Sequence, residues 1–160
     1  MLRVPESLPP LRPDQVAYLE GATSILVGTC SSARIPEGVR GVGIRVLQGG
    51  ARVSVLVPTA MAGRTLANLT TNPHLAVTTA SFPTYSTIQL KGSVVAMRDG
   101  DEVDRALASA FQPRFASEFG WAGDAITRVA RIAVWPCTAI ELAIDTIYTE
   151  APAPLARDAK

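Results

Sequence analysis

Val39-Arg-Gly-Val-Gly-Ile-Arg-Val-Leu47, then Gln48-Gly49-Gly50, then Arg52-Val-Ser-Val-Leu-Val57, is the stretch that decides the fold. Two runs rich in β-branched residues, joined by a Gln-Gly-Gly turn, predict an antiparallel hairpin. More of the same lies outward on both sides. Thr23–Thr29 (TSILVGT) predicts an earlier strand, with Cys30–Gly38 as its turn. Leu75–Ala80 predicts a strand and Thr84–Met97 a longer one, while Arg128–Trp135 and Thr138–Asp145 predict the last two, hinged at Pro136.

The apolar period changes in three places. Pro13-Asp14 with Val16, Tyr18 and Leu19 predicts a short helix stopping near Gly21. Met61, Leu66 and Leu69 suit one face of a helix between Thr59 and Asn72, ended by Asn72-Pro73. Asp99-Gly100-Asp101-Glu102 opens a third, with acids at its positive N-terminal end and Val103, Leu107, Ala110 and Phe111 as its apolar positions. Pro113 and Gly120 are expected to break the chain beyond Phe111. About seven strands joined mostly by tight turns imply an antiparallel sheet curled into a barrel, in the α+β class. Residues 1–150 are expected to form a single domain, and 151–160 a flexible tail.

Composition narrows the function classes. The 160 residues are 48% hydrophobic, with 15 basic and 14 acidic side chains and a net charge of +1. That excludes a disordered chain and argues against a nucleic-acid partner. A mean hydropathy of +0.22 suggests that a partner subunit covers apolar surface. The longest stretch without Asp, Glu, Lys or Arg, Thr65–Leu90, is broken by Asn68, Asn72, Pro73, His74 and Pro83, so no membrane span is expected. The Pro-rich start, Met1–Pro13, has no apolar core of a signal peptide, and Cys30 and Cys137 make no disulfide framework, so a cytoplasmic location is expected.

Several chemistries lack their residues. His74 is the single histidine, and no Gly-x-Ser-x-Gly elbow or Gly-x-x-x-x-Gly-Lys loop is present. One His and two distant Cys supply no recognisable zinc set, so no metal is expected. The carboxylates show no paired arrangement, and no catalytic acid–base residue can be named.

The charge distribution is more informative. From Gly38 to Arg98 there is no Asp or Glu, yet Arg40, Arg45, Arg52, Arg64, Lys91 and Arg98 lie there; the acids resume at Asp99. One-signed charge on a sheet suits an anion, and the guanidinium fork suits phosphate oxygens. It equally suits solvated strand ends paired with acids from elsewhere in the chain. In Arg40-Gly-Val-Gly-Ile-Arg45, Gly41, Gly43 and Arg45 share one face, leaving bare backbone where a flat ligand could approach. Thr87, Gln89, Lys91 and Ser93 share a polar face that could meet a ligand or water.

At these residues the sequence resembles the pyridoxamine 5'-phosphate oxidase family of FMN-binding split barrels, over roughly Ala17–Leu142. The family carries an Arg-x-x-Leu-Leu-Lys strand whose two cations hold the FMN phosphate. Arg40-Gly-Val-Gly-Ile-Arg45 has that spacing, with Gly43 for a Leu and Arg45 for the Lys. Thr59, then Gly63-Arg64-Thr65, then Asn72-Pro73-His74 are similar to the family's Thr, Ser-Arg-Lys and Asn-Pro-His elements, with the Ser and Lys missing. Gln89-Leu-Lys-Gly92 is similar to the family's strand whose polar residues reach the isoalloxazine ring. The true oxidases end in a Trp- and Arg-containing segment; this chain instead has Ile140-Glu-Leu-Ala-Ile-Asp-Thr-Ile-Tyr148.

The resemblance implies an α+β fold built on an antiparallel six- to seven-stranded split β-barrel with a few connecting helices. It implies a homodimer with FMN at the subunit interface. It also implies a flavin-dependent oxidoreductase of unassigned substrate and electron donor, rather than a vitamin B6 oxidase. Arg40, Arg45, Arg64 and Thr65 would hold the phosphate with support from Thr59, and Gln89 and Lys91 would lie near the ring. Arg40 and Arg45 fall on opposite faces of a regular strand, so their joint use requires a bulge or twist at Gly41 or Gly43. The alternatives are deazaflavin or haem in the same fold, or a non-enzymatic barrel that senses a phosphorylated ligand.

Overall fold

The computed structural model describes residues 9–22, 24–118 and 131–150. In chain order the elements are α1 (Pro13–Gly21), β1 (Ser24–Cys30), β2 (Pro36–Gly41), β3 (Gly43–Leu47), β4 (Arg52–Pro58), α2 (Gly63–Thr71), β5 (His74–Ala80), β6 (Thr87–Asp99), α3 (Glu102–Glu118) and β7 (Cys137–Glu150). The strands form one sheet in the order β2-β1-β5-β6-β7-β4-β3, every neighbouring pair antiparallel.

That order forces the sheet to curl. Its two edges, β2 and β3, are consecutive in the chain and separated only by Val42. A flat sheet would hold them six strand spacings apart, about 28 Å, and one residue spans about 3.5 Å. A Cβ on Gly41 would strike Ile25 of β1 and crowd Val55 of β4, which places the two ends of the sheet against each other. The amide of Val42 donates to the Leu56 carbonyl at 2.8 Å and pins the crossing. The fold is an α+β split barrel, as the hairpin pattern and the family resemblance predict.

Three expectations are corrected. Val39–Leu47 is two strands rather than one, and the first starts at Pro36, where Cys30 pairs with it. The break at Val42 is where the chain passes from one edge of the barrel to the other. Of the strand expected over Arg128–Trp135, residue 131 is a turn, 132 a bend and 133–135 irregular, and 128–130 lie outside the described residues. Ile132, Val134 and Trp135 pack against α3 instead, with Gln112 Nε2 donating to the Ile132 carbonyl at 2.6 Å, so one long final strand remains. Pro113 does not end α3, which runs on to Glu118. Phe111 and Phe115 on either side are both buried, and their packing offsets the roughly 3 kcal/mol that an internal proline costs. Gly120 and the tail lie outside the described residues.

Two apolar clusters hold the fold. The barrel interior contains Ile25, Val27, Ile44, Val53, Val55, Val77, Leu90 and Leu142, with Leu19 closing one side. A second cluster, Val42, Leu56, Phe111, Phe115 and Ala139, lies on the outer wall beneath α3.

Candidate functional site

The two arginines of the crossing segment end up on the same side of the barrel wall. Gly41 faces the interior, where Ile25 and Val55 meet it. Val42 belongs to the outer cluster, and a Cβ on Gly43 would strike Leu107 of α3. Ile44 returns to the interior. Two successive residues thus face outward, the alternation slips by one, and Arg40 and Arg45 both point out. The irregularity expected at Gly41 or Gly43 is this slip at Val42–Gly43.

Helix α3 then lies along the segment. Arg45 comes within 3.5 Å of the Asp104 carboxylate, and the Arg40 guanidinium sits 5.3 Å from the centre of the Phe115 ring. Eleven helical residues and five strand residues both span about 16 Å, so one helix matches both contacts. Asp104, buried at 1% exposure, also accepts a 2.6 Å hydrogen bond from Arg98. At the helix start the Asp101 amide donates to Asp104, and the Asp104 amide donates to Asp101, closing a capping box. The bond from the Asp104 amide holds the Asp101 carboxyl below its ordinary range, with Arg98 and Arg45 adding to it. The hydrogen bond to Asp104 raises Arg98 above its ordinary value.

Thr59, Arg64 and Thr65 lie at the junction of β4 and α2. The Thr59 hydroxyl pairs with that of Thr138 at 3.2 Å, at the edge of a cavity of about 560 Å³ that Arg98 and Met97 also line. Arg64 is 86% exposed and reaches Glu37 only at 3.7 Å. Thr65 is buried, and its hydroxyl has no hydrogen-bond partner among the described residues. No side chain caps α2, whose N-cap is Ala62.

Gln89 and Lys91 lie on the outer face of the sheet. Cross-strand pairing sets Arg40, Leu26, Thr78, Gln89 and Tyr148 in one row, and Gly38, Gly28, Ala76, Lys91 and Thr146 in the next. Gln89 donates to Thr78 at 2.8 Å, and the Lys91 ammonium lies 5.0 Å from the centre of the Tyr148 ring. Arg40 thus shares a face with Gln89, three strand spacings away, about 14 Å.

Three of the five arginines in the acid-free stretch are met by acids outside it: Arg45 and Arg98 by Asp104, and Arg64 by Glu37. Residue pattern alone did not single out Asp104; the Asp-x-x-Asp spacing of a capping box was its available signal. Among the described residues, no three His, Cys, Asp or Glu gather as metal ligands, and no helix is long and apolar enough to cross a membrane.

The same fold occurs in solved structures of low sequence identity. HupZ from Group A Streptococcus aligns with a TM-score of 0.56 at 13% identity, over 90% of this chain and all (100%) of that one. A putative pyridoxamine 5'-phosphate oxidase from Lactobacillus delbrueckii aligns at 0.55 and 14%, over 86% and 93%. An F420 reductase aligns at 0.53 and 12%, over 82% and 94%. No curated protein matches the sequence. The family model described as pyridoxamine 5'-phosphate oxidase matches residues 11–149. The chain belongs to the pyridoxamine 5'-phosphate oxidase family. Membership covers the whole barrel and α3, and so includes the crossing segment, the start of α2 and the outer face of β6.

Proposed function

We propose that this member of the pyridoxamine 5'-phosphate oxidase family binds FMN and acts in the cytoplasm as a homodimeric oxidoreductase. One observation carries the reading. The first turn of α2 has no capping side chain, an exposed Arg64, and a buried Thr65 hydroxyl without a partner among the described residues. Helix N-termini with an adjacent cation hold phosphate. Arg64 and Thr65 would take the FMN phosphate there, and Thr59 would support them from the preceding turn. Arg40 would face the cofactor from the outer wall. Arg45 would add its charge while held by Asp104. Gln89 and Lys91 would donate to acceptors on the ring. FMN, when bound, supplies the hydride or electron transfer. The chain's residues bind and orient it, which fits the absence of a paired acid–base set in the sequence.

The homodimer that the family resemblance implies would let a second copy complete the site, setting the α2 start of one protomer against the outer face of its partner's β6. Leu26, 52% exposed in the row between Arg40 and Gln89, is apolar surface for it to cover.

The test is the visible spectrum of the purified protein after incubation with FMN and removal of the excess. A retained two-band yellow spectrum is expected. A colourless protein that does not retain FMN overturns the reading.

A further inference from the structure

A cavity of about 420 Å³ on the outer face of the sheet adjoins Lys91 and is built by a bulge. Across β6 and β7, Lys91 pairs with Thr146 and Gly92 with Ile144, so Asp145 is an extra residue. The insertion lets Ile144 and Ile147 both enter the core while Asp145 and Thr146 both face the cavity. Regular alternation would turn one of each pair the wrong way. The bulge draws the strands so close that a Cβ on Gly92 would run into the Ala143 carbonyl, so only glycine fits opposite it.

The floor and rim have distinct chemistry. Gly28 and Ala76 leave nearly bare strand backbone on this face, and Gly92 adds main-chain atoms, a surface that suits a planar molecule. Lys91 stands at the rim as a donor, His74 as a donor in its Nε2–H tautomer, and Asp145 as an acceptor. The Ser93 hydroxyl engages His74 Nδ1 at 3.2 Å, which leaves Nε2 for a ligand. The Asn72 side chain brackets the same edge, donating to the Cys30 carbonyl at 3.0 Å and accepting from the His74 amide at 3.2 Å. The volume falls within the ordinary range for small-molecule sites.

We infer that this cavity is the substrate pocket of the proposed flavin site. It is built for a small planar molecule with a carbonyl or carboxylate oxygen toward His74 and Lys91 and an N–H toward Asp145. This rests on the flavin reading, through Lys91, which serves both ring and pocket.

Cys30 lines the pocket and reports on it. Cys137 is buried, donates its thiol proton to the Val134 carbonyl and is pushed up to about 11 by burial, so it stays unreactive. The experiment is the rate of Cys30 alkylation by iodoacetamide in the full chain: alone, with FMN, and with FMN plus 2-aminobenzoate, a planar carboxylate with an adjacent N–H. The expected result is that 2-aminobenzoate slows alkylation of the FMN-loaded protein about tenfold. Lys91→Met and His74→Gln should each weaken the probe by about tenfold, the scale of one charge-assisted hydrogen bond. Retained FMN with no protection by 2-aminobenzoate overturns the pocket and leaves the flavin reading standing. Failure to retain FMN overturns the flavin reading, and with it the pocket's role as a substrate site. Protection that survives both variants overturns the assignment of His74 and Lys91.

Discussion

Arg98 of β6 donates to Asp104 of α3 across 2.6 Å, and the same buried carboxylate faces Arg45 of β3 at 3.5 Å. One side chain thereby ties the helix to two strands that the sheet order holds apart. Asp104→Ala should lower the unfolding free energy by about 2–3 kcal/mol, less than for a fully buried pair because both arginines are about one-third exposed. Urea unfolding measures it. A loss within about 0.5 kcal/mol, the ordinary surface value, would refute the tie.

The phosphate seat predicts a separation of binding from stability. Arg64→Ala should weaken FMN by about 1.5–3 kcal/mol, the scale of a hydrogen bond to a charged group. The melting temperature should stay unchanged, since the side chain is 86% exposed. Titration of the flavin absorbance against protein checks this; unchanged affinity removes Arg64 from the seat.

Two glycines should respond in opposite ways. Gly92→Ala places a methyl against the Ala143 carbonyl and should cost more than about 3 kcal/mol, or prevent folding. Gly63→Ala, at the first position of α2, meets nothing within 4 Å and should stabilise by up to about 1 kcal/mol. Equal effects in thermal unfolding would contradict the bulge geometry.

The buried thiol predicts an alkaline slope. Burial, with the Asp104 charge adding to it, raises Cys137 from an ordinary value of 9.0 to about 11. Between those values the folded chain holds a proton that the unfolded chain has lost. The contribution is therefore complete below pH 9 and falls away as pH rises toward 11. Unfolding free energies measured across that window should decline more steeply in the wild type than in Cys137→Ala. Parallel slopes would show that the thiol is not the cause.

The antiparallel barrel was legible because local signals agree with it: period-two runs, a Gln-Gly-Gly turn and a proline-ended helix each act over a few residues. The strand expected over Arg128–Trp135 failed for the opposite reason. Its apolar residues are real, but residues 131–135 cover α3 rather than pair with a strand, and a local pattern does not say which surface an apolar side chain covers. Pro113 shows the same limit, since the packing of Phe111 and Phe115 outweighs the local rule.

The site divides along the same line. Residue types and spacing alone establish a barrel pattern with a basic, acid-free centre and an order of motifs that resembles the family. Tertiary structure decides where those charges go. The slip at Val42–Gly43 turns Arg40 and Arg45 to one side, α3 brings Asp104 to Arg45 and Arg98, and the bulge at Asp145 opens a cavity beside Lys91. Each depends on contacts between residues distant in sequence, whose electrostatic and steric energies exist only once the sheet has curled. A charge's sign is written in the sequence; its partner is written in the fold.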